Sequence, residues 1–457
     1  MPEENTRKEL FETMPVPRAV AQMCIPTIVG SLVMMLYSMA DTYFVGALNS
    51  PIASSAVTLA SPILLAFNAV NNLFGVGTGS YMSRCLGKKD YDTARRASAF
   101  GVYWALIASV LFSAAFFAAQ PFFLRLLGAT SETYEATKEY MFWTVVCGAA
   151  PSILNVILGY LVRAEGASMH ATVGVVSGCL LNVILDPFFI LPRFLGMGAA
   201  GAGLATFISN SAAVLYFVIL IASRRGRSFV SFRWKDFLRQ RGIAKPVFAV
   251  GVPAAIQNLL NVTGQTVLNN FAAGYGPAVV SAVGISHKVI MIPLMMAMGV
   301  SNGITPLISY NYSSGDRRRM RDVFGFTLKI SLALAWGLAL LTFLFPGNIM
   351  KFFIQDEEIV RHGASFLRIA AITIPCMDMD FIAVGVFQAC GMGKKALLFA
   401  ILRKIVLEIP ALLVWDHFVP VNGLAAAQPT AEFILAIAAV VSLGKIFSEK
   451  TEKEKTA

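Results

Sequence analysis

Two aspartates stand in runs of sequence where an acid is costly. Asp41 is followed by Thr42-Tyr43-Phe44-Val45-Gly46-Ala47-Leu48, so it lies inside an apolar run and not in the loop beyond it. Asp186 closes Asn182-Val183-Ile184-Leu185-Asp186-Pro187. On a helix, Tyr37 shares a face with Asp41, and Asn182 shares one with Asp186. A charge at mid-membrane costs on the order of 2.5–3.5 kcal/mol, so it persists only when paired, hydrated or neutralised. Counting along the runs puts both acids at a similar depth in the outer leaflet, where Thr206 of the next run also arrives. Two carboxylates, an amide and a hydroxyl make a hard-oxygen site for a proton or a Na⁺-like cation. Like charges in low dielectric resist joint ionisation, so such a pair can load and release a proton near neutral pH. The alternative is that both acids only cap helix ends at the headgroups.

A second polar set lies further along: Asn261 and Gln265, His287 and Lys288, Asp378 and Asp380, then Arg403, Lys404, Glu408 and Glu432. Asn261, Gln265, His287, Lys288, Asp378 and Glu408 are candidate substrate contacts. Lys288 could pair with Asp378 or with Glu408. Arg403 and Lys404 are expected near the cytoplasmic end of their run, snorkelling to the interface. Met291, Met295, Met296 and Met298 would give a flexible apolar lining suited to varied substrates. Nothing here suggests soluble catalysis. No Gly-rich loop ends in Gly-Lys-Ser/Thr, and four scattered histidines offer no metal spacing. Gly75-Val76-Gly77-Thr78-Gly79 reads as close helix packing by small residues. An intramembrane enzyme would need a His cluster or Ser/His dyad that the runs lack.

The elements that must position these residues are membrane helices. The chain has 457 residues, 56% of them hydrophobic and 14% charged, with a mean hydropathy of +0.67. That leaves too little polar surface for a soluble globule. Twelve apolar segments recur, near 20–46, 52–82, 97–121, 138–162, 168–191, 199–222, 246–272, 278–310, 324–346, 362–387, 395–415 and 422–446. The fold class is an all-α polytopic membrane protein. The net charge of +11 is concentrated in alternate loops, at Arg84 to Arg96, at Arg224, Arg225 and Arg227 to Arg241, and at Arg317 to Arg321. That is the positive-inside pattern; it places both termini in the cytoplasm and argues against nucleic-acid binding. The six cysteines form no CxxC pair and read as buried thiols. No cleavable signal peptide is evident at the N-terminus.

Five prolines of the first half recur in the second: Pro26 with Pro253, Pro51 with Pro277, Pro121 with Pro346, Pro151 with Pro375 and Pro187 with Pro410. Prolines inside spans kink them. The polar stretch 223–245 separates an N-terminal six-helix bundle, 1–222, from a C-terminal one, 246–457. Parallel repeats of six helices, with a central cleft between pseudo-symmetric bundles, suit alternating access. The halves differ in their acids, since Leu268 and Ile409 occupy the positions matching Asp41 and Asp186.

The stretches Ile25-Pro26 to Asp41-Thr42-Tyr43-Phe44-Val45-Gly46, Ser83-Arg84-Cys85-Leu86-Gly87, Arg163-Ala164-Glu165-Gly166, Asn302 to Tyr312 and Phe387-Gln388-Ala389-Cys390-Gly391 resemble the MATE (multidrug and toxic compound extrusion) transporters. Met14-Pro15-Val16-Pro17-Arg18 resembles the MepA-like branch. The resemblance implies twelve helices in two bundles, a V-shaped cleft, and export of amphipathic organic cations driven by inward H⁺ or Na⁺. It implies a monomer in the bacterial plasma membrane that needs no cofactor. The cation site, for H⁺ or Na⁺, would map onto Asp41, Asn182, Asp186 and Thr206, with Tyr37 and Asn155 beside it on the substrate side. The NorM branch has an acid in its seventh span where Asn261 stands here, while Asp378 approximates that branch's tenth-span acid. Within the same superfamily, a lipid-linked oligosaccharide flippase is the alternative, though the first-half runs carry acids and few arginines. A facilitator-type transporter would need an Asp-Arg-x-Gly-Arg-Arg loop where Gly87-Lys88-Lys89-Asp90 stands.

Overall fold

A computed structural model describes residues 8–48, 50–224 and 226–448; Arg225 of the second basic loop lies outside the described residues. Among these residues the regular structure is entirely helical. We label the long helices α1 Val16–Ala47, α2 Pro51–Gly87, α3 Tyr91–Ala118, α4 Tyr134–Cys147 with Ala149–Ala164, α5 Ser168–Ile190, α6 Gly198–Ser223, α7 Ala244–Ala273, α8 Pro277–Ser314, α9 Arg317–Leu344 and α10 Glu357–Ala371 with Ile374–Ala389. The last two are α11, built of Gly393–Ile401, Leu402–Glu408 and Ile409–Phe418, and α12 Asn422–Ser448. Nine described helices are long and apolar enough to cross a membrane, and eleven when each of the bent pairs α4 and α10 counts once. The charged middle of α11 sets it apart from that group, and with it the described helices fill all twelve expected segments. The chain is a polytopic membrane protein.

Four of the five repeated proline pairs do the same structural job in both halves, whereas Pro187 lies inside α5 and Pro410 opens the last part of α11. Pro26 and Pro253 lie within α1 and α7. Pro51 and Pro277 open α2 and α8, where the missing N–H has no intrahelical partner to lose. Pro121 and Pro346 start the short helices Gln120–Leu126 and Pro346–Phe353. Pro151 and Pro375 stand just past the breaks in α4 and α10, whose limbs bend by 48° and 52°. Similar bends at matching prolines are what duplication of one kinked bundle produces.

Packing divides the chain into two compact units. One comprises the described part of Met1–Thr13 with Val29–Ala255, and the other Met14–Ile28 with the described part of Ile256–Ala457. The expected halves divide the chain in sequence order, whereas packing assigns the first turns of α1 and of α7 to the opposite unit. Glycines explain both assignments. In the N-terminal unit, a Cβ on Gly77 of α2 would lie 2.6 Å from the Val247 carbonyl of α7, and one on Gly251 would collide with the Leu73 carbonyl. In the C-terminal unit, a Cβ on Gly303 of α8 would lie 2.7 Å from Cys24 Cα of α1, and the Thr27 hydroxyl donates to the Gly299 carbonyl at 2.7 Å. Gly77 and Gly303, matched in the repeat, thus perform matched contacts. The 223–245 segment also lies against the N-terminal unit. Buried Glu165 accepts from Ser228 Oγ at 3.0 Å and from the Phe229 amide at 2.8 Å, and the Tyr103 hydroxyl donates to the Phe232 carbonyl at 2.7 Å.

Candidate functional site

Within the N-terminal unit, α5 and α6 are drawn together by small residues. A Cβ on Gly178 would be 3.1 Å from Ala213 Cβ, and one on Gly201 would be 2.5 Å from the Phe189 carbonyl oxygen. Thr206 of α6 therefore meets Asn182 of α5. The Asn182 amide satisfies its surroundings in one orientation: its nitrogen donates to Asp186 Oδ2 at 2.9 Å, and its oxygen accepts from Thr206 Oγ1 at 3.3 Å. Turned the other way, the oxygen would face only acceptors. Asp186 and Asn182 are 0% and 1% exposed, too deep for bulk water to hydrate the acid. Asp41, partly buried on α1, acts on Asp186 through its charge. Tyr37, one turn before Asp41, is in electrostatic reach of both acids. The four residues expected at this site, Asp41, Asn182, Asp186 and Thr206, fall in one unit, with Tyr37 and Asn155.

Two further residues belong to the cluster. Tyr140 of α4 is buried and feels both acids. It approaches because Gly203 of α6 carries no side chain; a Cβ there would lie 2.8 Å from the Tyr140 carbonyl. Asn210, one turn beyond Thr206, donates to the Thr206 carbonyl at 2.9 Å and accepts from Asn155 Nδ2 at 3.1 Å. Asn155 is thereby joined to the Thr206 end of the cluster by way of Asn210. The four-residue step from Thr206 to Asn210 was a usable sequence signal. Nothing in the sequence marked Tyr140.

The C-terminal candidates do not form one set. Gln265 donates along its own helix to Asn269 at 3.0 Å, and Asn261 lies one turn earlier on α7, partly buried. Lys288 is exposed. Its expected partners are engaged elsewhere: Asp378 accepts from Ser331 Oγ at 2.7 Å, and Glu408 binds Lys404 at 2.7 Å. The Lys288 pairings are corrected accordingly, because Lys404 stands one turn from Glu408 on the same helix and reaches it first. The snorkelling expected of Arg403 and Lys404 is also corrected. They are 4% and 8% exposed, held inside by Asp380, Glu432 and Glu408. His287 lines a cavity with Glu432. Among the described residues, no group of three or more His, Cys, Asp or Glu side chains is placed to hold a metal ion.

A family model described as MatE matches residues 26–188 and again residues 253–414. The chain belongs to the MatE family. The two matches are displaced by 227 residues at their starts and 226 at their ends, in the register of the proline pairs. Among curated proteins, this MatE chain is 31% identical over 436 residues to the multidrug export protein MepA of Staphylococcus aureus (strain MRSA252), covering 94% of each. It is 32% identical over 432 residues to the MepA of Staphylococcus saprophyticus, again over 94% of each. Among solved structures, a MATE crystal structure in complex with MaL6 superposes with a TM-score of 0.91 at 23% identity, covering 98% of this chain and 99% of that one. The structural match establishes the MatE fold.

Proposed function

We propose that this chain is a secondary active multidrug efflux transporter, not an enzyme, that exports amphipathic organic cations in exchange for H⁺ or Na⁺ by alternating access. The observation that carries the reading is the Asp186–Asn182–Thr206 hydrogen-bonded set, buried in a membrane bundle with a second carboxylate, Asp41, in electrostatic range. The relatives named multidrug export proteins support the substrate class. Asp41 and Asp186 take up the coupling ion, Asn182 and Thr206 hold Asp186 in register, and Tyr37 and Tyr140 stand within electrostatic reach of the pair. Neutralising one acid removes a buried charge and changes which arrangement of the helices is preferred. A potential of 100 mV supplies about 2.3 kcal/mol per net charge moved inward, enough for roughly a fifty-fold gradient when more coupling charge enters than substrate charge leaves.

Of the two ions, the geometry favours the proton. Asn182 spends its N–H on Asp186 and its oxygen on Thr206, so a Na⁺ seated against Asp186 would have to displace a donor and recruit an oxygen already engaged. The basic loops are assigned to the cytoplasm, with both termini, and the transporter works as a monomer without a cofactor. The test is dye transport in vesicles with pH and Na⁺ gradients imposed separately, across a panel of cationic dyes. Export that responds to neither gradient overturns the reading.

A further inference from the structure

The C-terminal unit contains a buried charge cluster that the Asp41/Asp186 site leaves unused. The Arg403 guanidinium stacks on the Phe381 ring at 4.7 Å, lies 2.8 Å from Glu432 Oε1 and 3.5 Å from Asp380 Oδ2. Lys404 reaches both oxygens of Glu408 at 2.7 Å. The π-helical turn Leu402–Glu408 carries all three α11 residues inward, a widening of the helix that recurs at functional sites. Arg403 and Lys404 supply two positive charges against three carboxylates, Asp380, Glu408 and Glu432. One negative charge is left over, in a place where an uncompensated charge is not tolerated.

Glu432 is where that charge meets open space. It is 1% exposed; its Oε1 shares the Arg403 guanidinium with Asp380, and its Oε2 receives no well-aligned hydrogen bond. It lines a cavity of about 80 Å³ formed by α7, α8, α10 and α12, several times what one water molecule needs. Ser286, His287, Thr373 and Gln428 line it with Glu432, while the rest of the wall is apolar, with Leu268, Phe366 and Leu424. The wall offers a single carboxylate, and among the described residues no group of three or more His, Cys, Asp or Glu side chains is placed to hold a metal ion there. A weakly hydrated organic ammonium needs no such group, and an apolar wall suits its alkyl groups.

We propose that this cavity is a binding subsite for the head of an organic ammonium ion, with Glu432 as its counter-charge and Arg403 retained by Asp380. The proposal rests on the reading of the chain as an exporter of organic cations and names where one such cation is held. The test is calorimetric titration of benzyltrimethylammonium into the purified full-length protein in detergent, with each variant checked for a single symmetric size-exclusion peak. Glu432→Gln is expected to weaken binding tenfold or more, and Glu432→Asp to weaken it less. Ala425→Trp, which fills the cavity without altering any charge, is expected to abolish binding and carries the test if Glu432→Gln does not fold. Glu135→Gln, which removes an exposed acid outside both sites, is expected to bind within about threefold of the native protein. Native-strength binding by Glu432→Gln or by Ala425→Trp overturns the proposal. An equal loss of binding in Glu135→Gln also overturns it, by making the effect one of overall charge. If vesicles show no export while the native protein binds the probe through Glu432, the export reading fails and the subsite stands.

Discussion

Replacing Asp186 with Asn separates the ion's role from the fold's. The amide has nearly the same shape as the carboxyl and still offers Asn182 Nδ2 an acceptor at the 2.9 Å position. A hydrogen bond to a charged group contributes about 1.5–3 kcal/mol and one between neutral groups about 0.5–1.5 kcal/mol, so the swap forfeits roughly 1 kcal/mol. Against that, Asp186 is 0% exposed, and burying an ion carries a desolvation penalty of several kcal/mol, which the amide avoids. The variant should therefore be at least as heat-stable as the native protein in detergent. Its transport should differ sharply. If one net charge moves inward per cycle, as with two H⁺ for each ethidium cation, the native protein can sustain roughly a fifty-fold ethidium gradient at 100 mV, and the variant should fall to near unity. The assay is ethidium fluorescence in energised vesicles, beside a thermal shift on the same preparation. A variant that keeps the full gradient refutes Asp186 as the coupling acid. One that loses transport only because it melts several degrees lower refutes the energetic argument.

Three further outcomes follow from other parts of the structure. Gly251→Ala forces a methyl into the Leu73 carbonyl; overpacking of this kind costs about 1–3 kcal/mol, and a thermal shift should register it. Arg403→Met leaves Asp380 and Glu432 facing each other without their cation; a loss of about 3–5 kcal/mol is expected, relieved in part by adding Glu432→Gln, as folded yield would report. Asp90 caps the start of α3 by accepting from the Thr93 amide at 3.0 Å, and the Thr93 hydrogen bonds hold its carboxyl below the usual range. A lowered folded-state value means this contribution is present above the ordinary carboxylate range and fades as pH falls through the folded one. Asp90→Ala should cost about 1 kcal/mol at neutral pH and little under strongly acidic conditions, measured by thermal shifts across pH.

The sequence carried most of the fold, because hydrophobic runs and helix-breaking prolines act locally. Pro151 and Pro375 mark the bends in α4 and α10 wherever those helices pack. Asn182 and Asp186 were legible together for the same reason, since four residues on a helix fix a shared face. What stayed hidden depended on distant partners. Arg403 and Lys404 read as an interfacial basic pair because Asp380 lies 23 residues away and on another helix. Tyr140 stands at the start of the 138–162 segment, just past the exposed Glu135–Lys138 ion pair, and nothing local ties it to acids on other helices. Only the missing side chain of Gly203, on a helix two further along, brings its backbone close to α6.

The assignment of the first turns of α1 to the C-terminal unit also orders events during synthesis. Thr27 finds its acceptor at Gly299, 272 positions later in the chain. At roughly 5–20 residues per second, the ribosome needs on the order of 14 to 54 s to deliver that partner. Throughout that interval the opening helix is in the bilayer without the Gly299 partner of Thr27. A chain cut after α6 would contain the whole Asp41–Asp186 cluster yet lack what anchors its own first helix. The nascent N-terminal unit is therefore expected to stay sensitive to membrane quality control until α8 has been inserted, long after its own six helices have been made.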